Sequence, residues 1–175
     1  MVADILIVNE RKHYHKGFYI AGESNVEQHL KTIENPRNNE DVFPYCDAQI
    51  FLCGSCDLFA LALNKEFGFK AYAFTPANHR DILIHCFCVS TYLERPAYVD
   101  VRGVTTDFEE LIAPFEDLRK FDFQLIPFNL KETQKLEENA AEIGFKFAQN
   151  IIKKYHSYYE QSNCVQSRKQ DGGIL

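Results

Sequence analysis

The sequence predicts one α+β domain, and three observations carry that prediction. A chain of 175 residues, 46% hydrophobic and 14% aromatic, supplies one ordinary core and not a second. Runs with strand character gather between Lys70 and Leu125, while helical periodicity flanks them on both sides. Finally, every residue from Leu58 to Leu63 is apolar, which describes a helix with no solvent face that the other elements must cover. The domain is expected over residues 1–161, with 162–175 a loose polar tail containing Gly172-Gly173.

Taken in order, Asp4 to Val8 fits a short strand, and the polar, aromatic stretch from Glu10 to Lys16 fits a solvated loop or edge in which His13 and His15 need no metal. From Asn25, with Gln28 three places on as a partial capping box, Val26, His29, Leu30 and Ile33 fall on one helical face. Asn35-Pro36 ends that helix, and Arg37 to Asp41 is a polar loop. The stretch Gln49-Ile-Phe-Leu-Cys53-Gly-Ser-Cys56 then leads into the central helix. Ser55 is its expected N-cap, Cys56 its first residue and Gly68 its left-handed stop, giving a length of about 12 residues or roughly 18 Å.

Lys70 to Phe74 is the next strand, followed by a loop from Thr75 to Asp81 and an almost unbroken apolar strand from Ile82 to Val89. Glu94-Arg95-Pro96 turns the chain into a strand from Tyr98 to Val101. Thr106 with Glu109 opens a short helix that Pro114 stops. Phe121, Phe123 and Leu125 alternate with polar residues as a half-exposed strand does. Leu136, Ala140, Ile143, Phe147, Ile151 and Tyr155 make one apolar stripe on a long helix from about Lys131 to Tyr159.

The charge balance, 19 basic against 25 acidic residues for a net −6, excludes a strong basic field for non-specific nucleic-acid binding. No run reaches transmembrane length, and Asp4 stands where a secretory signal would carry basic residues. Six cysteines without such a signal are expected as reduced thiols, in the cytoplasm or after delivery to a host by a signal-independent system.

Three residues carry chemistry that their surroundings must accommodate. Cys56 heads the core helix, where unpaired N–H groups and the helix dipole favour a thiolate. His85 lies in an apolar strand on the face of Leu83, Phe87 and Val89, with Cys86 and Cys88 pointing the other way. Asp100 interrupts the next strand, within a few residues of the position opposite His85, and each of the two needs a buried partner. A thiol, an imidazole and a carboxylate in that order form the set needed for nucleophilic acyl transfer.

At these residues the chain resembles a family. Cys56-Asp-Leu-Phe-Ala60, His85-Cys-Phe-Cys-Val89 and Tyr98-Val-Asp100-Val-Arg-Gly103 are similar to the Cys, His, Asp core of papain-like and transglutaminase-like cysteine enzymes, over about Gln49 to Gly103. The resemblance implies a papain-like fold, with the cysteine opening a core helix packed on an antiparallel sheet that carries the histidine and the acid. It implies a Cys56-His85-Asp100 triad, with Gln49 as the oxyanion candidate although it stands one residue further from the nucleophile than in papain. It further implies a thioester intermediate, a protein or peptide substrate, and peptide cleavage, glutamine deamidation or transamidation without metal or organic cofactor. Asp57 replaces the aromatic residue that usually follows a papain nucleophile.

Two other chemistries share the opening stretch. An apolar strand, Cys53-Gly-Ser-Cys56 and a helix are the layout of a thioredoxin-like redox motif, with Pro96 near the place of its proline. Cys53, Cys56, Cys86 and Cys88 together are a candidate zinc set. A non-catalytic interaction module that keeps the fold is a further alternative.

Overall fold

The central helix α3, Cys56–Phe67, begins and ends where its sequence directs. Gly68 adopts φ 73° at its C-cap, a left-handed conformation that glycine enters at little cost, and its N–H donates to the Asn64 carbonyl at 2.8 Å. Leu58 through Leu63 are all buried. The computed structural model describes residues 25–36, 45–92, 95–120, 122–133 and 138–160. The expected strand at 4–8, the His13 and His15 segment, the loop at 37–41 and the tail at 162–175 lie outside those residues.

Ahead of α3 come α1, Val26–Thr32, and α2, Ile50–Cys53. Asn25 caps α1 as expected, its Oδ1 accepting the Gln28 N–H at 3.0 Å. Gln49-Ile-Phe-Leu-Cys53 is not an extended run: Ile50–Cys53 forms one helical turn, with Phe51 and Leu52 packed into the core. A short apolar segment is ambiguous by pattern alone, and here the contact with α3 decides its conformation.

Five strands form one antiparallel sheet in the order β4-β3-β2-β1-β5: β1 Lys70–Pro76, β2 His85–Tyr92, β3 Arg95–Asp100, β4 Gly103–Thr105 and β5 Phe123–Pro127. The sheet with its helices makes the molecule a mixed α+β fold. Alternation along the strands sorts the core into two sides. Ala71, Cys86, Cys88, Ala97 and Val99 join the cluster built on α3, whereas Phe74, Phe87 and Tyr98 join Leu111, Ile112 and Leu118 in a second cluster. Leu111 and Ile112 come from α4, Phe108–Ile112, and Leu118 from α5, Glu116–Lys120.

Three expected boundaries move. The strand foreseen from Ile82 begins at His85, and Ile82 and Leu83 stand 52% and 36% exposed in the preceding loop, so Leu83 does not share a strand face with His85. Pro96 lies inside β3 opposite Thr91; β4 pairs only with Tyr98, Val99 and Asp100, so a proline there removes no bond from that ladder. Asp107 rather than Thr106 caps α4, its carboxylate accepting the Glu109 N–H at 2.9 Å while Thr105 Oγ1 accepts the Asp107 N–H at 3.0 Å.

Of the long C-terminal helix foreseen, the described residues form α6, Leu130–Thr133, α7, Glu138–Lys154, and α8, His156–Glu160, with a turn at Tyr155 between α7 and α8. Phe147, Ile151 and Tyr155 of the stripe are buried against the α3 side. Helices α7 and α3 approach closely at Gly144, where a Cβ would stand 2.5 Å from Tyr45 Cε1 and 2.7 Å from Leu58 Cδ1. Among the described residues no helix is long and apolar enough to cross a membrane.

Candidate active site

The junction of α3 with the beginning of β2 brings Cys56 beside the strand that carries His85. Pairing of β2 with β3 runs from Tyr92↔Arg95 to Cys88↔Val99. Two residues past that last pair, the Cys86 N–H donates to the Cys56 sulfur at 3.2 Å. The intervening peptide bond lengths put the sulfur within about 6 Å of the His85 Cα. Ser55 is the N-cap by position but does not cap with its side chain, because its hydroxyl donates to Tyr45 Oη at 3.4 Å.

Continuing the β2–β3 register by one step sets Asp100 opposite Phe87, diagonal to His85 and on its face. That geometry joins His85 Nε2 to Asp100 Oδ2 at 3.0 Å, with both residues buried. The other ring nitrogen, Nδ1, is buried and has no hydrogen-bond partner among the described residues. Phe115 stacks on the imidazole at 4.3 Å between centroids, and Phe87 lies beyond at 6.2 Å. Thus Asp100 and His85 are bonded, and Cys56 is bonded to the backbone next to His85, but thiol and imidazole are not hydrogen-bonded to each other.

Burial governs the electrostatics of this group. Cys56 is only 4% exposed, and desolvation pushes its thiol up to about 12, outweighing the N–H groups of Cys86, Asp57 and Cys56 that pull it down. The thiolate that its helix position favours is therefore not the resting species, because a low dielectric penalises the charge more than the helix end stabilises it. Burial likewise holds the His85 ring below its ordinary value, against the hydrogen bond and charge of Asp100 and assisted by Arg102. For Asp100, burial would raise the carboxyl, yet the Arg102 charge and the bonds from His85 and Arg102 together hold it well below the usual carboxylate range.

No family model, curated protein or solved structure matches this chain. The assignment of roles rests on the residues themselves.

Gln49 sits half-buried ahead of α2, its backbone N–H held by Asp47 Oδ1 at 2.9 Å. Cys53 is exposed at the end of α2, whereas Cys56, Cys86 and Cys88 are buried, and all four are free thiols. Cys88 donates to the Ala60 carbonyl at 3.4 Å. Among the described residues no three His, Cys, Asp or Glu side chains converge as a metal site, so the four cysteines of the zinc alternative are not gathered. The redox alternative required a strand before Cys53, and that segment is the helical turn α2.

Three contributors were not singled out from the sequence. Arg102 was read only as the end of a strand, but its guanidinium is buried on Asp100. Phe115, beyond a helix stop, covers His85. Tyr159, at the end of the C-terminal helical region, donates its hydroxyl to the Val101 carbonyl at 2.8 Å and so braces the turn between Asp100 and Gly103. The Asp100-Val-Arg-Gly103 sequence was the available signal for Arg102, since a two-residue hairpin loop keeps its members near the strand end.

Proposed function

We propose that this chain is a papain-like or transglutaminase-like thiol enzyme that transfers the acyl group of an amide in a protein or peptide, through Cys56, His85 and Asp100. The observation that carries the reading is the His85 ring. Nε2 is engaged by Asp100 at 3.0 Å, while Nδ1 lies buried without a hydrogen-bond partner among the described residues, on a residue whose next N–H binds the Cys56 sulfur. With the carboxylate accepting at Nε2, Nδ1 is the lone-pair nitrogen. It takes the Cys56 proton as the sulfur bonds to the amide carbon and the carbonyl pair moves onto oxygen. Collapse then breaks the C–N bond, and the proton on Nδ1 leaves with the amine, giving a thioester. Water or a second amine attacks next, its proton passes through Nδ1 to the departing sulfur, and the free thiol returns.

Backbone N–H groups at the head of α3 are the oxyanion donors that this chemistry requires, with Gln49 the side-chain candidate. Because the resting thiol is protonated and covered, charge develops only as the proton moves to His85. Cys56 is 4% exposed, so substrate has to open the packing at the head of α3 to reach the sulfur.

A second reading draws on the same burial: the Cys86 N–H fastens α3 to β2 through the Cys56 sulfur, the His85–Asp100–Arg102 network fastens the sheet to α4, and the module only binds. Dimethylated casein with a fluorescent primary amine separates the two, with amine incorporation, ammonia release and new N-termini read in parallel. The acyl-transfer reading expects product in at least one readout, lost in Cys56→Ala, lowered about 10²-fold or more in His85→Ala, and retained in Cys53→Ser. Product that survives Cys56→Ala, or none by any readout from folded wild type, overturns it.

A further inference from the structure

We infer that Arg102 is a positioning residue that selects the His85 tautomer by keeping the buried Asp100 carboxylate ionised. This rests on the acyl-transfer reading for its purpose, but not for its geometry.

The guanidinium is built into the site. Its Nη2 lies 2.6 Å from Asp100 Oδ2, and its Nε stands 3.1 Å from both carboxylate oxygens. The Arg102 backbone N–H also donates to Asp100 Oδ1 at 2.8 Å. On its far side Nη2 donates to the Leu111 carbonyl at 2.9 Å and Nη1 to the Glu110 carbonyl at 3.4 Å, both at the end of α4. The guanidinium carbon lies 5.7 Å from the centroid of Phe115, the ring that covers His85. One side chain thus ties the carboxylate, the α4 terminus and the aromatic cover together.

The consequence follows from hydrogen-bond chemistry. An ionised carboxylate accepts only, so the His85 nitrogen facing it must donate, and in the neutral ring Nδ1 is left as the base. A carboxyl this deeply buried without a cation beside it takes up a proton instead of staying charged. The acid would then donate to Nε2, the ring proton would move to Nδ1, and the atom required as base would be blocked. Asp100 and Arg102 are the charged groups that act on the ring, and Phe87 and Phe115 supply no alternative donor or acceptor. Arg102 therefore decides which end of the imidazole is available for the Cys56 proton. Lysine preserves the charge without the fork, whereas glutamine removes the charge.

The test is ¹⁵N NMR of the full chain with labelled histidine at pH 8, with the His85 resonances identified by their loss in His85→Gln. Wild type is expected to show a pyrrole-type Nε2 and a pyridine-type Nδ1, and Arg102→Lys to keep that pattern. In Arg102→Gln the proton is expected to move almost wholly to Nδ1, leaving an Nε2–H population of about 1% or less, and Cys56-dependent product falls about 10²-fold or more, as in a wrong-tautomer triad. Wild type with the proton on Nδ1 overturns the inference without any variant. So does a folded Arg102→Gln that keeps the wild-type pattern, and so does an Arg102→Lys that loses it. Failure of the casein assay with the expected resonances would instead remove the acyl-transfer reading and leave Arg102 in its role.

Discussion

Raising pH should expose the state of the Cys56 thiol directly, and the expected size of the effect can be worked out. With its value near 12, the thiolate fraction at pH 8 is on the order of 10⁻⁴, against about one quarter for an ordinary thiol near 8.5. The more basic thiolate is intrinsically more nucleophilic, which returns about 25- to 50-fold. Alkylation of Cys56 at pH 8 is thus expected to be on the order of 50-fold slower than that of an unperturbed thiol, before restricted access slows it further. Its rate should climb steeply through pH 10 without levelling, because half-ionisation lies well above that range. The assay is timed iodoacetamide labelling followed by site-mapped mass spectrometry, with Cys53, whose thiol is itself raised by partial burial and the charges of Asp47 and Glu27, as the internal comparison. A Cys56 rate that exceeds that of Cys53, or that levels off below pH 9, would refute the argument that burial outweighs the helix N-terminus.

Three further outcomes are expected. Asp100→Asn leaves the Arg102 guanidinium buried against a neutral amide and costs about 3–5 kcal/mol, read as a lower urea midpoint at unchanged m; a loss under about 1 kcal/mol contradicts the ion-pair argument. Stability should fall on acidification from about pH 6.5, because the unfolded His85 binds a proton that the folded ring resists, and fall again below about pH 4 as unfolded Asp100 does the same. Above about pH 9 the sign reverses for Cys56, whose raised folded value makes stability decline as pH rises toward 12, so thermal midpoints should peak between about pH 7 and 8.5, and a midpoint flat from pH 5 to 7 argues against a buried neutral His85. Gly144→Ala forces a methyl onto Tyr45 and Leu58 at a cost of about 1–3 kcal/mol, of which helix propensity returns about 1, and a gain in urea midpoint would show that the α3–α7 contact is looser than described.

Much of this arrangement is local and was therefore legible in order. A glycine stop and six consecutive apolar residues set α3 at Cys56–Phe67, because the left-handed cap and periodicity act within a few residues, while Ser55 holds the N-cap position without a side-chain bond to the helix. The His85 and Asp100 pairing was foreseen to within a few residues, since a hairpin between adjacent strands leaves few registers. Boundaries failed where tertiary contact overrides pattern. Ile82 and Leu83 look like strand interior and are loop, and the segment before Cys53, which only the redox alternative made a strand, is helical.

By itself, then, the sequence determined an α+β chain with a buried helix headed by Cys56 and a histidine and aspartate on neighbouring antiparallel strands. Only the tertiary structure decided their charge states. Helix position alone argues for a thiolate at Cys56, but desolvation depends on everything packed around the sulfur, and it reverses that preference. Proximity along the chain likewise gave Arg102 no role. The fold turns its guanidinium onto Asp100 and the end of α4, where its charge holds the buried carboxyl ionised.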